Sequence, residues 1–177
     1  DWTNQPVTVD VSWSDEGGSD LQKYKYAITS SGIMPEEWKN EVIGKTEPII
    51  IDTEGENYLH IIGCDNAGNE STDNIFGKYK LDFTIPELIG ENEINSDTKV
   101  SSIKFAAKDD GAGVSKFVVN GTEISGTEYI ATSNGDYKFE ISDYAGNTLT
   151  KDLKITNIYS ECDKNLGHPT YDSSYAK

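Results

Sequence analysis

Asp65-Asn66-Ala67-Gly68-Asn69 recurs 78 residues later as Asp143-Tyr144-Ala145-Gly146-Asn147. Each copy follows a stretch that alternates with the two-residue period of a half-buried β-strand. Ahead of the second copy, Tyr137, Phe139 and Ile141 share one face, with Lys138, Glu140 and Ser142 on the other. Ahead of the first, Leu59, Ile61 and Gly63 take the inner positions and Tyr58, His60, Ile62 and Cys64 the outer ones. A second repeated piece lies upstream. Trp13-Ser14-Asp15-Glu16-Gly17-Gly18-Ser19-Asp20-Leu21 resembles Ala107-Lys108-Asp109-Asp110-Gly111-Ala112-Gly113-Val114, with Asp15 and Asp109 offset by 94 residues. Val7, Val9, Val11 and Trp13 alternate before the first of these, and Ile103, Phe105 and Ala107 before the second. Tyr24, Tyr26 and Ile28 follow the first, Phe117 and Val119 the second. Two motifs recurring in one order mark a duplicated unit.

The two offsets differ by sixteen residues, so the first unit carries extra chain between its motifs. That places an insertion near 30–45, with Pro35 and Trp38 in it. The second unit turns at Asn120-Gly121 instead, a type I′ hairpin signal. Tyr79, Leu81 and Phe83 close the first unit with a further alternating strand, and Leu149, Leu153 and Ile155 close the second. Short strands at this spacing, separated by Gly and Asn turns, predict an all-β chain of two tandem β-sandwiches. Residues 1–85 form the first module with its insertion and 86–158 the shorter second. Pro86 suits the first residue of an edge strand at the boundary. Residues 159–177 lose the alternation and read as a tail or the start of a further module.

Composition agrees with small sandwiches. Hydrophobic residues are 35% of 177, enough for strands with one buried and one wet face. Ten Tyr, three Trp and five Phe favour pleated, half-buried surfaces. The formal net charge is −16, and all fifteen basic residues are Lys. Such a chain repels a polyanion and lacks the Arg fork that grips phosphate or guanine, so no nucleic-acid partner is expected. No apolar run is long enough to span a bilayer, so membrane insertion is not expected either. The first residue is Asp1, and no signal peptide is visible; a fragment of a longer protein is the expectation. Cys64 and Cys162 are too few and too far apart for a disulfide framework.

With both motifs in hand, the chain resembles the bacterial immunoglobulin-like repeats of Gram-positive surface or secreted proteins. The Asp-x-Ala-Gly-Asn ending, Leu59-His60 before it, the stretch Trp2-Thr3-Asn4-Gln5-Pro6-Val7-Thr8-Val9 and the Asp-rich Gly turn carry the likeness, over roughly residues 2 to 157. Asp20 stands where the pattern has Gly, and the strand expected before Trp2 is short or missing. The resemblance implies immunoglobulin-like or fibronectin-like sandwiches serving as extracellular spacers, with a contribution to adhesion. It also implies a second reading, a carbohydrate-binding or accessory module beside a glycan-degrading enzyme. The expected partners are neighbouring modules of the same long protein and a glycan or host-surface ligand. The chain itself is expected to be a monomer.

Several residues invite a functional reading beside a structural one. Asp in the repeated pentapeptide can accept backbone amide protons, with Gly supplying positive φ, so a turn role accounts for it. If the loops share one end of a sandwich, Asp15, Glu16, Asp20 and Asp65 gather in the first module. Asp109, Asp110 and Asp143 gather in the second, with Glu87 near the junction, where calcium is the cofactor they could hold. Neither cluster follows the EF-hand spacing. Trp38, Tyr24 and Tyr26 could form a flat sugar-stacking surface, or plug the sandwich as core aromatics. His60 has no acid or Cys partner nearby in sequence and is expected to pack or to lie on the surface. Cys162 and His168 supply half of a structural zinc set, and a Cys64–Cys162 bridge would need the tail to fold back. No Gly-x-Ser-x-Gly elbow, phosphate-cradling loop or His-Glu-x-x-His helix is present, and no enzyme activity is expected. The acids lie in turns and on solvent faces, where raised pKa values are not expected.

Overall fold

The fold comes from a computed structural model that describes residues 1–15, 18–44, 46–94 and 96–159. Cys162, His168 and the rest of the stretch from 160 lie outside the described residues. The chain divides into two compact units, one of Asp1–Thr84 together with Tyr144–Asn147 and the other of Ile85–Asp143 together with the described residues from Thr148 on, and every described regular element but one short 3-10 turn is a strand.

In the first unit the strands are β1 (Trp2–Thr3), β2 (Val7–Val9), β3 (Leu21–Thr29), β4 (Asn40–Ile43), β5 (Ile49–Ile51), β6 (Gly55–Asp65) and β7 (Asn74–Leu81). They build a five-stranded sheet in the order β1-β7-β6-β3-β4 and a two-stranded sheet of β2 and β5. Tyr24, Ile49, Ile51, Leu59, Ile61 and Leu81 form the core, and partly buried Val7, Val9, Val11 and Trp13 pack against it. Leu59 and Ile61 are two apart on β6 and so face the same side. The outer positions of β6 are also covered: His60, Ile62 and Cys64 are at most 5% exposed. Alternation predicts a wet outer face here. The structure closes it with the segments that follow β3 and β6, because Ser31 and Asp73 reach His60 while Ser71 and Glu70 reach Gly63 and Cys64.

In the second unit the strands are β8 (Glu87–Ile89), β9 (Ile103–Lys108), β10 (Val114–Val119), β11 (Thr122–Glu123), β12 (Glu128–Ala131), β13 (Gly135–Asp143) and β14 (Thr148–Ile155). A four-stranded sheet runs β11-β10-β13-β14 and a three-stranded sheet β12-β9-β8. Ile103, Phe105, Phe117, Phe139, Ile141 and Ile155 fill its core. Phe139 sits at its centre, with ring centroids 4.7 Å from Phe105 and 6.1 Å from Phe117. The β10–β11 hairpin has Asn120 at φ 49° and Gly121 at φ 78°, positive at both central positions as a type I′ turn requires.

Two sheets with consecutive strands exchanged between them, and β6 or β13 central to the larger one, make each unit an immunoglobulin-like, fibronectin-type sandwich. The helix-free sequence pattern and the turn residues therefore end in the predicted all-β class.

Candidate functional site

The turns that carry the repeated acids are built alike. In the first unit, Asp65 Oδ1 accepts the backbone N–H of Asn69 at 2.7 Å and Oδ2 accepts its side-chain amide at 2.7 Å. Gly68 lies at φ 89°, where a Cβ would cost energy. Asp15 Oδ2 accepts the N–H and hydroxyl of Ser19, and the same hydroxyl lies 2.9 Å from Asp65 Oδ2. One serine thus sits between two carboxylates. Hydrogen bonds from the Asn69 side chain and backbone hold the Asp65 carboxyl down at about 2.

In the second unit, Asp109 Oδ2 accepts the Gly113 N–H at 2.6 Å, matching the Asp15–Ser19 bond at the same four-residue spacing. Glycine brings no hydroxyl. Asp109 Oδ1 is buried with no hydrogen-bond partner, and a carboxylate oxygen of Asp109 lies within 4.8 Å of one on Asp143, which is 3% exposed. The other two acids named for this cluster go elsewhere. Asp110 pairs with Lys108 at 2.7 Å, and Glu87 stands opposite Lys108 in the β8–β9 register. Two of the four proposed calcium ligands come together, one is held by a lysine, and one stands across the strand pair from that lysine.

The aromatic trio does not form a flat surface. Tyr24 is fully buried, and its hydroxyl both donates to Glu47 O and accepts from Glu47 N–H. That corrects its assignment as a sugar-stacking residue: alternation on β3 puts it in the core, where its ring can serve packing only. Tyr26 packs beside it at 6.2 Å between centroids, and Trp38 is half-buried in the segment between β3 and β4.

His60 is 0% exposed. Its Nδ1 lies 2.8 Å from Asp73 Oδ2, and its Nε2 lies 3.1 Å from both Thr29 Oγ1 and Ser31 O. The partner missing from its near sequence is thirteen residues downstream, brought up by the β6–β7 turn. Asp, His and Thr in a row have the outline of a nucleophile relay, but the chemistry is wrong for one. The carboxylate and the carbonyl both accept, so both ring nitrogens face acceptors. The Thr29 hydroxyl is itself donated to Ser31 O. Cys64 is buried, which pushes its thiol pKa up and leaves it a poor nucleophile.

Trp13 is a further site residue, outside the candidates that the sequence marks. Its benzenoid atoms lie over Gly63, where a Cβ would sit 2.6 Å from Cζ3. Its Nε1 is buried and has no partner. Two clefts meet at this ring. One of about 450 Å³ includes Asp15, Asp20, Leu21 and Asn69; the other, about 360 Å³, includes Val11, Leu59, Ile61 and Phe76. The sequence signal is a Trp and a Gly at inner positions of two different alternating stretches.

No family model and no curated protein matches the chain. Among solved structures it is similar to the fibronectin(III)-like modules of Clostridium thermocellum CbhA, with 13% identity, 97% of this chain and 93% of that chain covered, and a TM-score of 0.36. It is also similar to SGBP-B of the Bacteroides ovatus mixed-linkage glucan utilization locus, solved with a mixed-linkage heptasaccharide. There the identity is 13% and the TM-score 0.25, over 88% of this chain, which spans about half (48%) of that one.

Proposed function

We propose that the chain is a non-catalytic spacer segment of an extracellular bacterial surface protein, joined to neighbouring modules of the same polypeptide. The observation that supports this reading is duplication: two units share one sandwich plan and one acidic turn, and each encloses its own apolar core. Separate cores let each unit fold and bear load as a unit. Pulling on the chain by its ends should give two unfolding steps, each releasing roughly 250–300 Å of contour length. A single step, or hydrolysis of any polysaccharide in a broad panel, would remove the spacer reading.

Carbohydrate binding is the second reading, and the cleft with Trp13, Asp15, Asp20 and Asn69 favours it. Aromatic carbon beside carboxylate and amide acceptors suits a neutral polyol. On a glycan array, Trp13→Ala should then lose binding that Trp38→Ala keeps; no binding by the parent protein ends this reading.

A further inference from the structure

The two units differ in one element of their smaller sheets. In the second, β9 is flanked on both sides, by β12 and by β8. Its register with β8 is Glu87↔Lys108, Leu88↔Ala107 and Ile89↔Ala106. In the first, among the described residues, β2 is flanked on one side only, by β5, and the ladder ends at Val9↔Ile49. Counted from the equivalent turn acids Asp15 and Asp109, Ser12-Trp13-Ser14 correspond to Ala106-Ala107-Lys108. Residues 10–15 belong to no strand. The short β1 does not take the place of β8, because it pairs in parallel with β7 of the other sheet.

A groove follows this unpaired backbone. It measures about 360 Å³, has Leu59 and Ile61 in its lining, and is bordered by Val11, Trp13, Asn74 and Phe76. Phe76, which borders the groove, is 48% exposed. In the second unit the corresponding backbone is covered by β8, whose Leu88 packs into the core at 9% exposure.

We propose that this groove of the first unit binds an extended peptide strand of the β8 kind, antiparallel to Ser12-Trp13-Ser14. The occupant is a polypeptide segment of low charge with an apolar residue opposite Trp13, as Leu88 stands opposite Ala107. Main-chain pairing gives such a complex its affinity, and the apolar side chain gives its register. The second unit supports that choice of occupant, since it holds this kind of strand against the matching positions.

The probe is a synthetic peptide with the sequence of residues 84–90, Thr-Ile-Pro-Glu-Leu-Ile-Gly, titrated into the whole chain and followed by calorimetry and amide hydrogen exchange. Binding should slow exchange at residues 10–14. Asp in place of the peptide's Leu should weaken binding by about tenfold or more, since it removes a buried side chain. Two further peptides, N-methylated at Leu or at Glu and Ile, block opposite edges of the strand; one should bind and the other should not. Equal binding by all the peptides, protection at 106–108 instead of 10–14, or no binding overturns the proposal. So does a concentration-dependent dimer protected at 10–14, which would make a second copy the occupant.

Discussion

Asp65 shows how one residue couples a turn to pH. Its folded pKa of about 2 lies below the ordinary 3.8, because Asn69 hydrogen-bonds the ionised form. Its contribution is therefore complete above about pH 4 and is lost as pH falls through 2. The Asn69 amide and side-chain resonances should move across that window and not above it. Asp109 sits at the matching turn with one oxygen buried and unpartnered. Asp109→Asn keeps an acceptor for Gly113, lowers the charge beside Asp143 and offers a donor there. Measured by urea denaturation in chelator, it should stabilise the second unit by about 1 kcal/mol. A midpoint that falls would show that the buried oxygen is needed as an anion. The repeated Asp-x-Ala-Gly-Asn was legible in sequence as a turn; the missing hydroxyl at Gly113 matters only because the fold of the first unit places Ser19 between two acids.

Single elements are where alternation read well and where it stopped. It assigned Tyr137, Phe139 and Ile141 to the inner face of β13 from period alone, and all three are in the core. On β6 the same rule assigns His60 to a wet face, and the structure buries it. Period-two patterning reports which residues share a face, not what later covers that face. Here the cover is chain without regular structure, pinned by His60 to Ser31 on one side and Asp73 on the other. His60→Ala should cost about 2 kcal/mol by stranding Asp73. Amide exchange in residues 30–39 should rise with it; unchanged exchange there would mean that this segment is held by other contacts. The strand pattern through Val11 and Trp13 also runs past the end of β2, since pairing stops at Val9 where no described strand flanks the other side.

Across the whole molecule, duplication predicts two cooperative units. Gly121→Ala puts a Cβ on a left-handed residue of the β10–β11 turn and should cost about 1–2 kcal/mol. Calorimetry should show one transition lowered and the other unmoved; a common shift of both would show that the units melt together. Sequence by itself determined the all-β class, the repeat, the hairpin at Asn120-Gly121 and most core positions, because these depend on period and on local backbone preference. Tertiary structure decided what lies across the strands: the Tyr24 hydroxyl on Glu47, Asp73 on His60, Asp109 beside Asp143, and a groove where, among the described residues, the first unit has no counterpart to β8. Those are contacts between residues far apart in the chain, and no local pattern carries them.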